Sequence, residues 1–417
     1  MKFEKYHIAE EIKANLINNK YFRTTDIQYK AIPAILNGED VLAIAQTGSG
    51  KTAAFAIPII HQIHSYKTSK RSNGVKCLVM VPTRELAKQI GEVFAKLSKN
   101  TKASSYAIYG GVEQDPQINQ LAGGVDILIA TPGRMFDLIS QGHLDISKVS
   151  VLVLDEADHM LDLGFIEDIE SIKRKLKHKH QTLFFSATIN KTIKKLAYSQ
   201  ISSNALRIQI SPEKMVSKNI SHAVVFVEMD EKRNLLANFL TENPEAKVIV
   251  FVRTQVRAQR IEEFLKKNNF ACETLHGGLE QGNREKNLEA FRKNEFNVLV
   301  ATDVSARGID LPAISHVINF DLPEVPENYV HRIGRTGRGF AKGEALSFCS
   351  PNEKPLLSEI EEFLQTEIPR LKVHARHVAP LNEKPEKNMS FAEMIAREEA
   401  AIDLAKRRKK VPKKAKK

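Results

Sequence analysis

The sequence feature that most constrains the fold is the octet 45–52, which reads Ala45-Gln46-Thr47-Gly48-Ser49-Gly50-Lys51-Thr52. The apolar segment 40–44 before it predicts a buried strand, and the segment 53–58 after it predicts the start of a helix. The glycines let backbone N–H groups surround an anion, and the helix N-terminus adds partial positive charge. Strand, turn and helix together are typical of a P-loop, although Ala45 replaces the usual first glycine. We expect Lys51 to reach the outer phosphates of a nucleotide and Thr52 to bind Mg²⁺.

Length and composition favour a globular protein of two domains with extensions. The chain has 417 residues, 42% of them hydrophobic, and no apolar run approaches the ~20 residues of a membrane helix. The N-terminus lacks the apolar core of a signal peptide, so we expect a cytoplasmic protein without membrane contact. Cys77, Cys272 and Cys349 have apolar neighbours and no metal-ligand spacing. They predict buried thiols in a reducing compartment and argue against zinc.

Apolar segments that end in glycine or polar residues recur along the chain. The first set covers 76–81, 106–109, 126–130, 151–154 and 182–185, and the second covers 248–252, 273–275, 297–301, 316–320 and 346–349. Ligands bind outside the carboxyl ends of strands in an open parallel sheet, so we expect the first set of loops to gather beside the P-loop. The second set contains no Gly-Lys-Thr turn. The pattern predicts an α/β fold of two tandem, doubly wound parallel-sheet domains.

The domain limits follow from changes in composition. The first domain is predicted over 1–207, with a helix over 3–19, and a linker rich in Ser, Pro, Glu and Lys over 208–219. The second domain is predicted over 220–366, followed by an extension over 367–417 in which Ser390 and Glu393 form a capping box for a helix over 390–405. Residues 406–417 contain nine Lys or Arg and no acid, within a net charge of +12. We expect this disordered tail to favour a polyanion, with a solubilising terminus as the alternative.

Three acids follow the apolar segment 151–154. Asp155 is placed as the carboxylate that positions Mg²⁺ beside the phosphates, and Glu156 is the candidate that orients or deprotonates the attacking water. Asp158 is expected to bind Ser186 or Thr188 and to relay closure.

Near the P-loop, Gln28 has an amide that matches the donor and acceptor edge of adenine. An aromatic side chain such as Tyr21 could cover the base.

The second domain carries an arginine-rich segment, His331-Arg332-Ile333-Gly334-Arg335-Thr336-Gly337-Arg338. Arg335 and Arg338 are three residues apart and share one face of a turn. Arginine holds phosphate oxygens in a fork and is always charged, which suits the γ-phosphate in the transition state. A nucleic-acid phosphate contact is the alternative for this segment alone. His331 is expected to be a hydrogen-bonded link.

As an ordered set, these motifs resemble the DEAD-box ATP-dependent RNA helicases of superfamily 2, of a compact bacterial type, over about residues 1–350. The resemblance implies two RecA-like domains, ATP and Mg²⁺ as cofactors, and RNA as partner. Nucleotide contacts are implied for Phe3, for Thr25 and Gln28 of the Q motif, and for Gly308 and Asp310. Lys20, Tyr21 and Thr24 stand where the Q motif usually has Gly, Phe and Pro.

The resemblance also implies residues that contact RNA or couple the two ligands. The implied RNA contacts are Pro82, Thr83, Arg84, Gly110, Gly111, Thr131, Pro132, Gly133, Arg134, Arg253, Gly277, Arg284 and Thr302. The implied coupling residues are Asp158, Ser186, Thr188 and His331. Such a protein would close around single-stranded RNA with ATP, separate short duplexes locally with little base preference, and reopen after hydrolysis.

Two other activities remain open at this point. One is an ATP-dependent RNA clamp or scaffold with little unwinding, and the other is a DNA translocase of the same superfamily, against which Gln28 and the acidic string argue. Ribosome assembly, mRNA decay and cold adaptation would all suit a small basic-tailed helicase. The expected partner is ribosomal or mRNA-decay ribonucleoprotein, and the protein is expected to be monomeric.

Overall fold

The computed structural model describes residues 1–46, 48–69, 72–176, 178–210, 216–306, 311, 314–337 and 341–380. These residues fall into two units, 1–210 and 216–380. Several predicted features lie outside the described residues. They are Thr47, Gly308, Asp310, Arg338, the helix over 390–405 and the tail over 406–417.

In the first unit, the described residues form a parallel sheet whose strands alternate with helices. The strands are β1 (Val41–Ala45), β2 (Cys77–Met80), β3 (Ser105–Ile108), β4 (Ile127–Ala130), β5 (Val151–Leu154), β6 (Gln181–Ser186) and β7 (Leu206–Ile210). The helices are α1 (Glu10–Asn18), α2 (Asp26–Leu36), α3 (Lys51–Tyr66), α4 (Arg84–Leu97), α5 (Asp115–Ala122), α6 (Pro132–Ser140), α7 (Ala157–Asp162), α8 (Ile166–Lys175) and α9 (Lys191–Gln200). The strand order is β3-β4-β2-β5-β6-β1-β7.

The described part of the second unit repeats this arrangement. Its strands are β8 (Ile220–Phe226), β9 (Val248–Phe251), β10 (Cys272–Leu275), β11 (Val298–Ala301), β12 (His316–Asn319), β13 (Gly343–Cys349) and β14 (Arg370–Leu371). Its helices are α10 (Lys232–Glu242), α11 (Gln255–Lys267), α12 (Gln281–Arg292), α13 (Asp303–Ala306), α14 (Pro326–Ile333), α15 (Lys354–Leu364) and α16 (Ala375–Val378). The order β10-β11-β9-β12-β13-β8-β14 matches that of the first sheet strand for strand. The prediction of two tandem doubly wound α/β domains is confirmed.

The strands form where the sequence supplies continuous apolar runs. β1, β2 and β4 are buried along their whole length, as expected for central strands covered by helices on both faces. The first unit accordingly has a separate apolar core cluster on each side of its sheet. Side-chain caps begin several helices: Thr83 accepts a hydrogen bond from Leu86 N, and Thr254 accepts one from Arg257 N.

The predicted boundaries differ from the structure at three places. Residues 208–210 belong to β7 and pair with β1, so the predicted linker over 208–219 begins too early. The second unit continues beyond 366, because β14 pairs with β8 and α16 packs on α10. The side-chain amides of Asn234 and Asn238 donate to backbone carbonyls of residues 377–379. Near the N-terminus, the long helix begins at Glu10, and residues 3–5 form a separate 3₁₀ turn.

The structure also bears on the cysteines and on membrane insertion. Cys77, Cys272 and Cys349 are free and buried, as their apolar neighbours predict. Among the described residues, none of the helices combines the length and the apolar character that crossing a membrane requires.

Candidate nucleotide and RNA sites

The P-loop joins β1 to α3 through two glycines with left-handed backbone angles. Gly48 has φ of 83° and Gly50 has φ of 92°, a region in which a side chain is strained. Lys51, 7% exposed, folds back over the loop, and its Nζ donates to the carbonyl of Ala45 at 2.7 Å. The Ser49 hydroxyl donates to the Gln46 carbonyl at 2.7 Å. The lysine is therefore held at the loop by a neutral acceptor that a phosphate oxygen could replace.

Gln28 links helix α2 to the P-loop. Its Oε1 accepts from the backbone N–H of Thr25 at 3.0 Å, which completes a capping box with the Thr25 side chain. Its Nε2 donates to the carbonyl of Gly50 at 3.1 Å. A Cβ at Gly50 would lie 2.5 Å from this nitrogen, so the contact requires glycine there. Each end of the amide makes one bond to protein, and the second N–H of Nε2 and the second lone pair of Oε1 can serve adenine.

Asp155 and Glu156 lie at the carboxyl end of β5. Asp155 is 2% exposed, and burial raises the pKa of its carboxyl to about 7 against the opposing effect of the Lys51 ammonium. Glu156 has φ of 51°, a left-handed angle that is uncommon for a residue with a side chain and is often found at functional sites. Its backbone N–H donates to Asp155 Oδ1 at 3.0 Å.

His159 is a buried neighbour of Glu156 that the sequence motifs do not indicate. It is 4% exposed, and its Nδ1 lies 3.5 Å from Glu156 Oε2. Among the described residues, neither of its ring nitrogens has a hydrogen-bond partner within normal limits. The spacing of three residues between Glu156, which immediately precedes α7, and His159 is the signal that could have indicated this contact.

Asp158 connects the acidic turn to the loop after β6. Its Oδ2 accepts hydrogen bonds from the Thr188 hydroxyl at 3.1 Å, from the Thr188 N–H at 3.0 Å and from the Ala187 N–H at 3.1 Å. The predicted contact with Thr188 is therefore present. Ser186 makes a different bond, because its hydroxyl donates to the Thr188 carbonyl at 2.8 Å. One carboxylate thus fixes the backbone of this loop.

The donor set at the P-loop fits a magnesium ion that is bound mainly by phosphates and water. Mg²⁺ in nucleotide sites uses one or two protein ligands and keeps several waters. Thr52 offers a hydroxyl at the start of α3, and Asp155 offers a carboxylate whose pKa is raised by burial. No group of three or more His, Cys, Asp or Glu that could enclose a metal occurs within the described parts of the chain.

Two arginines of the first unit stabilise the glycine turn after β3. The Arg84 guanidinium packs on Gly110 and Gly111, and a Cβ at Gly111 would lie 1.8 Å from Arg84 Nη1. Arg134 Nη2 donates to the carbonyl of Val112 at 2.8 Å. The structure thus brings together three of the predicted RNA-contact segments at the carboxyl edge of the sheet. Beside them lie the mostly buried residues Pro82, Thr83, Thr131 and Pro132 and the exposed Gly133.

The predicted RNA contacts of the second unit lie in separate hydrogen-bonded clusters. Arg284 Nη2 donates to the Ser305 carbonyl at 2.9 Å, and the Thr302 hydroxyl donates to Ser305 Oγ at 3.2 Å, so these two candidates share one neighbour. Gly277 is exposed in the loop after β10. Arg253 is 38% exposed and lies 3.4 Å from Glu324 and 3.6 Å from Glu353. These two carboxylates would compete with a phosphate for the guanidinium.

Arg332 has a structural role that the sequence motifs do not reveal. It is 2% exposed and holds Asp303 with two hydrogen bonds, from Nε at 2.5 Å and from Nη2 at 2.7 Å. Its guanidinium also lies 5.1 Å from the Phe251 ring centre. Arg335 is 4% exposed, and its Nε donates to the His331 carbonyl at 3.2 Å. The backbone of the predicted link residue therefore orients the predicted catalytic arginine.

The two aromatic candidates near the N-terminus belong to the core of the first unit. Phe3 is buried, and the partly buried Tyr21 packs against the same apolar cluster. Both line a cavity of about 210 Å³ together with Leu16 and Ile17.

Two family models match the chain. The DEAD/DEAH box helicase model matches residues 25–196, and the helicase conserved C-terminal domain model matches residues 231–339. The DEAD-box ATP-dependent RNA helicase RhpA of Helicobacter pylori is 38% identical over 366 residues, which cover 88% of this chain and 73% of the relative. The chain belongs to the DEAD-box ATP-dependent RNA helicases. The ATP-dependent RNA helicase DbpA of Bacillus subtilis is 37% identical over 403 residues, covering 94% and 83%.

Solved structures of DEAD-box proteins share this fold. S. cerevisiae Dbp5 bound to RNA and ADP BeF3 aligns with a TM-score of 0.79 and 30% identity, covering 89% of this chain and 95% of that one. Mss116p bound to ssRNA and AMP-PNP aligns with a TM-score of 0.80 and 29% identity, and the alignment covers 89% of this chain and 78% of that one. The RecA-like assignment of both units is confirmed.

Proposed function

We propose that this DEAD-box protein hydrolyses ATP in response to RNA and uses the cycle to separate short RNA duplexes or to remodel ribonucleoprotein. One observation carries the proposal: β5, β6 and β1 are neighbours in the first sheet, and their carboxyl ends present the acidic turn, the Thr188 loop and the P-loop side by side. A nucleotide in the P-loop would meet Lys51, Asp155 and Glu156 there. Asp158 then connects nucleotide chemistry with the loop after β6.

The residues have distinct roles in this proposal. Lys51 holds the outer phosphates, and Thr52 and Asp155 hold Mg²⁺, which neutralises charge that develops on the phosphates. Glu156 orients the attacking water and accepts its proton. Arg335 and Arg338 of the second unit stabilise the γ-phosphate in the transition state. Thr25 and Gln28 select adenine, and Gly308 and Asp310 contact the ribose and phosphates.

RNA binding is proposed to rely on phosphate and 2′-hydroxyl contacts rather than on bases. The candidates in the first unit combine Arg84 and Arg134 with exposed glycine backbone, which suits sugar–phosphate recognition. Such contacts give little base preference and a bias for RNA over DNA. ATP and RNA become coupled if both bind one closed state better than an open one.

A pair of assays tests the proposed function. We expect ATPase activity to rise with single-stranded RNA and to respond weakly to DNA of the same sequence, and a short labelled RNA duplex to be separated when ATP is present. Stimulation by DNA equal to that by RNA would favour the translocase alternative. Stable retention of RNA without strand separation would favour the clamp.

Gln28 gives a prediction that separates base recognition from loop support. In the Gln28→Ala protein we expect about tenfold weaker ATP binding, because the amide supplies both a donor and an acceptor to adenine. UTP binding should weaken less, since that nucleotide depends on Gln28 only through the bond to Gly50. Competition against a fluorescent nucleotide measures both affinities. An equal weakening for ATP and UTP would assign Gln28 to the loop alone.

The basic tail gives a second prediction. Removing residues 406–417 deletes nine positive charges, so we expect weaker RNA binding with a shallower dependence on salt. The slope of log affinity against log salt concentration should become shallower by about 0.7 for each phosphate that the tail no longer neutralises. Affinities at several salt concentrations measure this. A control chain with glutamine at the nine basic positions keeps the length and should behave like the deletion. Unchanged affinity and slope would leave the tail as a solubilising segment.

Location and assembly are proposed from simpler observations. The three free, buried thiols suit a reducing compartment, which supports the cytoplasm. We propose that the protein works as a monomer, which sedimentation at several protein concentrations would test.

A further inference from the structure

A cavity lined by arginines lies within the second unit, next to the loop that carries Arg253. It has a volume of about 340 Å³, at the lower end of the range for small-ligand sites. Thr254, Arg257 and Arg260 of the loop and α11, together with Arg233 of α10, contribute its polar lining. Met229, Val256, Ile261 and Phe320 form the apolar part. The cavity therefore combines cationic edges with an apolar wall.

The three arginines differ in how much charge they can offer a ligand. Arg257 Nε lies 3.2 Å from the buried Asp321, which neutralises and orients it. Arg233 and Arg260 are exposed and make no ion pair within the described residues. Arg233 stacks on Phe264 at 5.6 Å, which leaves its N–H groups available. Asp230 is the acid in the lining, so positive charge dominates at the mouth.

The closeness of the cavity residues to Arg253 in the sequence indicates which anion the cavity binds. Thr254 directly follows Arg253, a proposed RNA contact, and Val256 in the first turn of α11 is 56% exposed. A strand that binds Arg253 and continues along α11 would bring a further phosphate to Arg260 and Arg233, which line the cavity. The apolar wall then faces the attached base, as in other single-strand sites that combine a basic groove with base contacts.

We infer that this cavity holds one flanking nucleotide of single-stranded RNA and so extends the RNA path on the second unit. Arg233 and Arg260 bind its phosphate, and Val256 and Met229 contact its base without selecting a sequence. The inference rests on the proposed RNA-binding function and adds a phosphate subsite to it.

The test compares two RNA lengths with and without the two exposed arginines. An oligouridylate of about six nucleotides should occupy only the RNA contacts proposed above, and one of about twelve nucleotides should also reach the cavity. The full chain with AMP-PNP is titrated into each RNA between about 50 and 200 mM salt. In the Arg233→Gln/Arg260→Gln protein we expect the affinity for the longer RNA to fall on the order of threefold for each arginine removed. The slope of log affinity against log salt concentration should become shallower by about 0.7 for each arginine. The shorter RNA should bind as it does to the unaltered protein.

Controls separate the subsite from its alternatives. Lys267→Gln removes an exposed charge from the other end of α11 and should match the unaltered protein with both RNAs. Thermal melting of the double variant checks its fold. Unaltered affinity and slope with the longer RNA, or an equal weakening with both RNAs, would overturn the inference. If neither RNA binds the unaltered protein, the proposed function itself fails.

Discussion

The Glu156→Gln protein is expected to bind ATP and RNA normally and to lose ATP turnover by about 10²- to 10⁴-fold, the usual contribution of a positioned general base. Glutamine keeps the size of the side chain and can still orient water, but it cannot accept the proton. The left-handed backbone angle of residue 156 is equally accessible to both side chains, so the turn after β5 should survive the change. The expected loss therefore concerns chemistry rather than folding.

Single-turnover hydrolysis with saturating RNA measures this loss, and anisotropy with AMP-PNP measures RNA affinity. Glu170→Gln on α8 is a matched control, because it removes the same charge from an exposed position. We expect full activity from the control. A Glu156→Gln protein that keeps most of its RNA-stimulated turnover would refute the role assigned to Glu156.

The architecture could be predicted because apolar runs and P-loop chemistry are local signals. Each central strand is buried on both faces, so its sequence is continuously apolar and easily located. The edges of the sheets are harder to locate. β7 contains the exposed Arg207 and Gln209, and β14 has two residues, so neither shows a buried-strand pattern. For this reason the sequence predicts a linker that begins too early and a second domain that ends too soon.

Apart from His159, the site residues that the sequence does not indicate are those whose role depends on partners distant in sequence. Arg332 and Asp303 are separated by 29 residues, and Lys232 and Glu353 by 121. Lys232 is fully buried, donates to Glu353 at 2.5 Å and lies beside Asp321, which in turn binds the backbone N–H of Arg253. This ionic cluster positions a proposed RNA contact. Such pairings arise from tertiary packing, and neither residue spacing nor composition predicts them.

Removal of the Arg335 guanidinium is the change we expect to affect catalysis most. An arginine that stabilises the transferred phosphoryl group contributes about 10³- to 10⁵-fold to turnover, since the charge it meets develops only in the transition state. Arg335→Ala should therefore lower the maximal RNA-stimulated rate by about that factor with little change in ATP affinity. Arg335→Lys keeps the charge but loses the fork that the His331 carbonyl orients, and should restore only a small part of the rate.

The neighbouring Arg332 provides the contrast that separates catalysis from folding. Because Arg332 is buried against Asp303 and Phe251, Arg332→Ala leaves a carboxylate without its partner and should lower the free energy of unfolding by about 3 kcal/mol. The Arg335→Ala protein should melt at a temperature closer to that of the unaltered protein. The group that loses the hydrogen bond from Nε in this variant is the carbonyl of His331, which carries no charge. Melting curves and ATPase rates on the two proteins measure both effects. An Arg335→Ala protein that is folded, binds RNA and hydrolyses ATP at the unaltered rate would refute the catalytic role proposed for Arg335.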